Sequence, residues 1–305
     1  MTEKFRRPVR QTRPRPSPTL PSYSPPPKSS SNASFFRRHK GAIFFGASLY
    51  ACATLATYAY VRSQQGSSER GLEKDEHEAG EVWDHIATSY DRDIGNDEFV
   101  MGIGILRWWL MRKAKGDVLE VSAGTARNLR HYTSSISSLS LTDRSPTMLE
   151  IAREKLAKSK GGVAKSAVFP LDLDLETPAS LEGQFDTVVD TFGLCSCRDP
   201  GAALIRMSRL CRPSEESRVL LLEHGRGWLP WLNGVLDRGA EKHAKRWGCW
   251  WNRDLARLLE EERVQRELEV LSVSRWHFGT TLMVVARPRT TAAKEEGTPC
   301  GLKKE

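Results

Sequence analysis

"VLEVSAGTARNLRHY", residues 118–132, decides how this chain is read. Strand-favouring residues run into an acid, Glu120, and five small residues follow: Ser122, Ala123, Gly124, Thr125 and Ala126. A helix is predicted directly after them, over 126–134. Small residues allow main-chain groups to approach a ligand closely, so the pattern predicts a binding loop at a strand end.

Working outward, the apolar runs DVLEV, SLSLT, AVFPL, FDTVVD and RVLLLE end at residues 121, 142, 171, 190 and 223. Helical patterns over 146–159 and 200–211 lie between them, and two more, over 81–93 and 97–114, precede them. Ser145-Pro146 reads as an N-cap followed by proline at the first helical position. Strands alternating with helices predict an α/β fold, a parallel sheet with helices on both faces. Two last strands, near 266–274 and 278–287, are separated by a turn around His277 and are expected to form a closing hairpin with an antiparallel edge strand.

Ligands of such sheets bind beyond the carboxyl ends of the strands. Three nucleotide loops compete for residues 122–126. A P-loop requires Gly-Lys-Ser/Thr, and there is no lysine between 116 and 152. A dinucleotide loop requires G-x-G-x-x-G, which S-x-G-x-A does not supply. The S-adenosylmethionine loop, acid-x-small-x-Gly-x-small, is filled by Glu120, Ser122, Gly124 and Ala126. Glu120 is expected either to favour the ligand's ammonium or to fix the loop through backbone donors. Asp143, 23 residues later and followed by Arg144, is placed to accept a ribose hydroxyl pair. Asp172, with the backbone of Leu173, is placed to meet an adenine edge, and Asp174 is an equally placed rival.

VLEVSAGTARNL, TDRSPTML, FDTVVDTFGLCS and VLLLEHGRGW resemble the motifs of class I S-adenosylmethionine-dependent methyltransferases related to quinone C-methyltransferases. VVDTFGLCSCRDP with KHAKRWGCWWNRDL is similar to the fungal mitochondrial inner-membrane methyltransferase-like family. The resemblance covers about residues 81–287. It implies a Rossmann-like seven-stranded sheet, S-adenosyl-L-methionine as cofactor, and pocket positions at Thr191 and Phe192. It also implies a leading helix, VWDHIATSYDRDI, whose Trp83, Tyr90 and Asp91 lie near the cofactor. Ala126 stands where that family commonly has glycine, and it is expected to be accommodated at φ < 0.

Outside this domain, residues 1–40 hold ten Lys/Arg, eight prolines and one acid, a local charge of +9 against +8 for the whole chain. The remainder is therefore close to −1, and no nucleic-acid partner is expected of the globular part. The basic segment reads as disordered and resembles an organelle targeting sequence. Residues 41–61 carry no charge over 21 positions, the length of a bilayer-spanning helix. Residues 62–80 read as a linker and 288–305 as a tail. Arg37, Arg38 and Lys40 before the span place the following domain on the opposite side of the membrane from the N-terminus. With the resemblance, this predicts a single pass of the mitochondrial inner membrane with the domain facing the intermembrane space. The endoplasmic reticulum is the alternative.

His224, just past the fifth strand, is the candidate base for an acceptor, with His277 second. Residues 228–253 form an insertion holding five of the nine tryptophans. Trp247, Trp250 and Trp251 are expected either to stack a flat or lipid-like acceptor, to meet a membrane surface, or to pack the lid itself. Cys195 and Cys197 form a C-x-C without a second pair at zinc spacing, so the thiols read as small buried groups and no metal is expected. The sequence thus predicts a membrane-anchored methyltransferase for a small or lipid-like acceptor. The alternative is a methyltransferase-fold assembly factor with inner-membrane protein partners.

Overall fold

The near-continuous apolar runs become the strands of one sheet, buried in its central strands and more exposed at the edge formed by residues 166–170. Strands β1 (Gly116–Val121), β2 (Ile136–Asp143), β3 (Ser166–Pro170), β4 (Thr187–Thr191) and β5 (Arg218–His224) run parallel. Each ends within one residue of its predicted end. β6 (Leu268–Trp276) and β7 (Thr281–Pro288) complete a seven-stranded sheet in the order β3-β2-β1-β4-β5-β7-β6. The computed structural model describes residues 79–159 and 165–289, with the isolated positions 48, 50 and 52. The expected basic segment, the 41–61 span apart from those positions, the linker up to 78 and the tail from 290 lie outside the described residues. Among the described residues no helix is long and apolar enough to cross a membrane.

Side chains alternate across a strand with period two, so each central strand feeds two cores. Leu119, Val121, Val188, Val219 and Leu221 pack on one face with Leu204, Met207 and Leu210 of α4 (Pro200–Leu210). Val118, Val189, Leu220 and Leu222 pack on the other with Ile103, Leu106 and Leu110 of α2 (Ile103–Met111). Helices therefore cover both faces, as expected. α3 (Pro146–Lys158) starts as read: Ser145 Oγ accepts from Met148 N at 3.1 Å, with Pro146 at the first helical position.

Three expectations change. The two leading helical patterns are bounded differently: α1 (Ala79–Val100) is continuous through Gly95, and the break falls at Gly102, where φ is 65°. The helix predicted over 126–134 does not form. Residue 126 turns left-handed, and only a short 3-10 turn, Leu129–His131, follows. The final hairpin exists, but its antiparallel strand is not the edge. β7 pairs antiparallel with both β5 and β6, leaving β6 outermost. The insertion after β5 is one helix, α5 (Pro230–Trp247), closed by Gly248 at φ 62°. Two short helices, α6 (Leu255–Leu258) and α7 (Glu262–Gln265), lead to β6.

Candidate functional site

From β1 the chain builds β2 and β3 on one side, then crosses back to place β4 on the other side of β1. Connections diverge at such a switch point and leave a crevice over the strand tips. A cleft lies there, walled by residues 122–125, Asp143, Arg144, Asp172, Leu173, Thr191 and Phe192. Ten positions singled out in the sequence thus meet in one place, and Tyr90 joins them from α1.

The loop is held in an unusual backbone conformation. Ser122, Gly124 and Ala126 all have positive φ, at 49°, 53° and 59°. Alanine is therefore not accommodated at φ < 0; it carries a left-handed turn that costs an L-residue about 1–2 kcal/mol. Phe192, at φ 60°, carries a second such turn after β4. Asp143 supports the loop: Oδ2 accepts from Gly124 N at 2.8 Å and Oδ1 from Ser145 N at 2.9 Å. Burial pushes its carboxyl above the ordinary range. The two rival acids after the third strand take different places. Asp172 lines the cleft, whereas Asp174 is buried against Arg144 at 3.1 Å and accepts from Arg198 N at 2.7 Å.

Glu120 and Ala126 do not reach the cleft. Glu120 is buried, and its two oxygens accept from Asn128 Nδ2 at 2.9 Å and Tyr132 OH at 2.7 Å. It fixes the loop through side-chain donors of residues 128–132 rather than through the backbone. That use of Asn128 also explains the missing helix, since its side chain is committed to the strand tips. Burial pushes the Glu120 carboxyl up. A further buried acid, Asp190, is pushed up to about 8 by burial and by the neighbouring Glu120 and Asp143 carboxylates.

α1 is fastened across the loop by three acids seven residues apart, which places them on one helical face. Asp84 accepts from Ser145 Oγ at 2.5 Å and from Thr147 N at 3.2 Å. Asp91 accepts from Thr125 Oγ1 at 2.6 Å and from Arg127 Nη1 at 3.0 Å, and also pairs with Lys155. Glu98 bridges Arg107 and Arg127, each at 2.7 Å. Trp83 and Tyr90, also seven apart, meet edge to face at 5.8 Å and line the cleft. Arg107 was not foreseen. It is buried, donates from Nη1 to Asn128 Oδ1 and Thr191 Oγ1 at 2.8 Å, and lies 5.2 Å from the Phe192 ring centre. The seven-residue repeat of Asp84, Asp91 and Glu98 was visible in the sequence; the role of Arg107 required the fold.

The acceptor candidates are placed elsewhere. His224 does not line the cleft: its Nε2 lies 2.9 Å from Cys249 Sγ, and its ring is 5.2 Å from that of Phe192. The two ring nitrogens of His277 face Thr281 Oγ1 at 2.9 Å and the Met101 carbonyl at 2.8 Å, away from the cleft. Trp251 packs within the lid, stacked on His243 at 4.0 Å and donating to the Leu236 carbonyl at 2.8 Å. Trp250 is exposed, and Trp247 meets Arg246 at 5.1 Å. None of these three tryptophans lines the cleft. The lid nevertheless reaches it indirectly, because Gly248 packs so closely on Trp83 that a β-carbon would lie 2.9 Å from Trp83 Nε1.

Comparison with known proteins gives the same direction. Residues 119–214 match the model of a methyltransferase domain. Together with the sheet order, that match gives the chain a class I methyltransferase fold. It is 39% identical over 223 residues to the mitochondrial methyltransferase OMS1 of Saccharomyces cerevisiae, covering 69% of this chain and 46% of that protein. The matched part thus spans about half of that relative's length. It is 28% identical over 207 residues to the ubiquinone/menaquinone biosynthesis C-methyltransferase UbiE of Xylella fastidiosa, covering 63% of this chain and 78% of that one. A chain of the solved complex containing the Haloferax volcanii Trm112 methyltransferase activator superposes with TM-score 0.52 at 17% identity, covering 72% of this chain and all of that one. That likeness speaks to the fold.

The motif resemblance implies S-adenosylmethionine as the methyl donor. The residues present suit it. A β-carbon built on Gly124 meets no atom within 4 Å, so the loop leaves room above its main chain. Met148, Leu171 and Phe192 supply apolar wall for a flat ring, and Asp143 and Asp172 supply acceptors for hydroxyl and amino groups.

Proposed function

We propose that the chain is a membrane-anchored S-adenosylmethionine-dependent methyltransferase for a small or lipid-like acceptor, located at the mitochondrial inner membrane. The convergence of residues 122–125, Asp143, Asp172 and Tyr90 on one cleft at the switch point supports the donor site. In this reading residues 122–125 receive the amino-acid end of the donor, Asp143 its ribose, and Asp172 with Leu173 its adenine. Trp83 and Tyr90 of α1 cover it. The donor supplies a methyl group already activated on a sulfonium. The protein's part is then alignment and exclusion of water, worth up to about 7–11 kcal/mol of barrier. The mitochondrial placement rests on the basic segment 1–40, the uncharged stretch 41–61 and the similarity to the yeast protein.

One observation favours a second reading. The cleft wall contains no histidine, and His224 is tied to Cys249. An acceptor that must lose a proton would have to find its base elsewhere. A methyltransferase-fold assembly factor that binds the donor without turnover fits the same geometry. Full-length protein in detergent, given methyl-labelled donor and membrane extract, separates the two. Label transferred to a lipid-soluble acceptor supports the enzyme. Saturable donor binding with no transferred label supports the assembly factor.

A further inference from the structure

The strand tips and the lid share a second cluster that the donor site does not use. Cys195 lies in the turn after β4, His224 at the end of β5, and Cys249 just after α5. Their ligand atoms, two sulfurs and one imidazole nitrogen, lie within 4.8 Å of one another. Both cysteines are buried, and no disulfide joins them. We propose that Cys195, His224 and Cys249 form a binding site for a soft divalent metal ion, for which zinc is the best fit.

Chemistry and geometry both support this assignment. Two thiolates with one neutral imidazole are a Cys2His set, preferred by zinc over calcium or magnesium, which take oxygen donors. Zinc with two thiolates and a neutral imidazole carries no net charge, so the complex suits a buried position. Loading releases the two thiol protons to solvent and forms two Zn–S bonds and one Zn–N bond, with no redox change. A tetrahedral ion requires its donors roughly 3.5–4 Å apart, given Zn–S near 2.3 Å and Zn–N near 2.0 Å. The observed cluster therefore needs only small side-chain adjustments.

The surroundings hold the three donors in place. Trp250 N donates to the Cys195 carbonyl at 3.0 Å, joining the lid loop to the β4 turn. His243 Nδ1 faces the Cys249 carbonyl at 2.9 Å while its ring stacks on Trp251. Gly248, at φ 62°, turns the chain so that Cys249 points back from the helix end. The three donors come from segments 25 or more residues apart, so the ion would clamp the lid onto the sheet. Three protein ligands leave a fourth position for water or another small ligand, as in catalytic rather than closed structural sites.

The test uses the full-length chain in detergent, purified without oxygen, stripped with chelator and reloaded with zinc or cobalt. About one zinc per chain is expected by elemental mass spectrometry, and cobalt should give a thiolate charge-transfer band with intense tetrahedral visible bands. Cys195→Ser and Cys249→Ser should each lose the metal, while Cys211→Ser, a buried thiol outside the cluster, keeps it. If the cluster variants do not fold, alkylation of the wild-type chain decides. Zinc should abolish labelling of Cys195 and Cys249, and chelator should restore it. The proposal is overturned by a stripped chain that takes up no metal, by metal retained in both cluster variants, or by labelling that ignores zinc. A Cys195–Cys249 disulfide in the oxygen-free protein also overturns it. Donor affinity measured in parallel keeps this result separate from the methyltransferase reading.

Discussion

Two sets of carboxylates meet at this cleft, and their surroundings drive them in opposite directions. On α1, burial raises the Asp91 carboxyl, but the Lys155 ammonium, the Thr125 hydroxyl and the Arg127 guanidinium together hold it below its ordinary value. Glu98 is likewise lowered: burial is outweighed by Arg107 and Arg127. At the strand tips, Glu120, Asp143 and Asp190 lack comparable cationic partners, and burial pushes all three up. The helix that covers the cleft is thus fastened by ion pairs, whereas the sheet beneath is fastened by buried carboxyls with raised values and by apolar packing. The cover is the part that charge changes can loosen.

The largest effect should come from cutting the ionic fastening. Glu98→Ala leaves Arg107, whose side chain is only 4% exposed, without its carboxylate. Removing one partner of a buried pair costs about 3–5 kcal/mol. Urea denaturation of the full-length variant should show that loss, and unchanged stability would mean that α1 is not held by this network.

The next effect sharpens the contrast through pH. Asp91 and Glu98 have lowered folded values, so their contribution is present above about pH 4 and is lost as acid protonates them. Asp190 is raised to about 8, so the sign reverses: its contribution is complete below about pH 4 and is lost as pH rises through 8. Above the range where the partly buried histidines His131, His243 and His277 gain stability with rising pH, the melting temperature should therefore fall between pH 7 and 8.5 under otherwise identical conditions. Asp190→Asn should flatten that slope, by an amount on the order of 1 kcal/mol or more at the alkaline end. An equally steep slope in the variant would remove Asp190 from the account.

The smallest expected effect is a gain. Ala126→Gly relieves the left-handed backbone at φ 59° but adds chain entropy to the unfolded state. A net stabilisation of roughly 0.5–1 kcal/mol should appear in the same denaturation assay. A loss would show that the alanine methyl, only 3% exposed, contributes more by packing than its backbone costs.

The same division governs what was legible from sequence. Strand ends were readable because buried parallel strands are written as apolar runs, and DVLEV, FDTVVD and RVLLLE could be little else. The loop at 122–126 and the acids Asp143 and Asp172 followed from their position after those strands. The helix predicted over 126–134 does not form, and local composition does not reveal that Asn128 serves Glu120 and Thr191. The acid stripe of α1 is written at a seven-residue spacing, but its partners lie on β-strand loops, α2 and α3, so its purpose needs the fold. Nothing in the sequence signals that Cys195, His224 and Cys249 meet, since ligands drawn from three distant elements leave no spacing signature.

Calorimetric titration of the full-length protein with S-adenosylhomocysteine, the product form of the donor, tests the central claim most directly. Saturable binding at about one site per chain, lost in Asp172→Ala with an unchanged melting temperature, is the predicted result. Absence of binding heat in the folded wild-type protein at millimolar ligand, or undiminished binding in that variant, would contradict the placement of the donor over these strand tips.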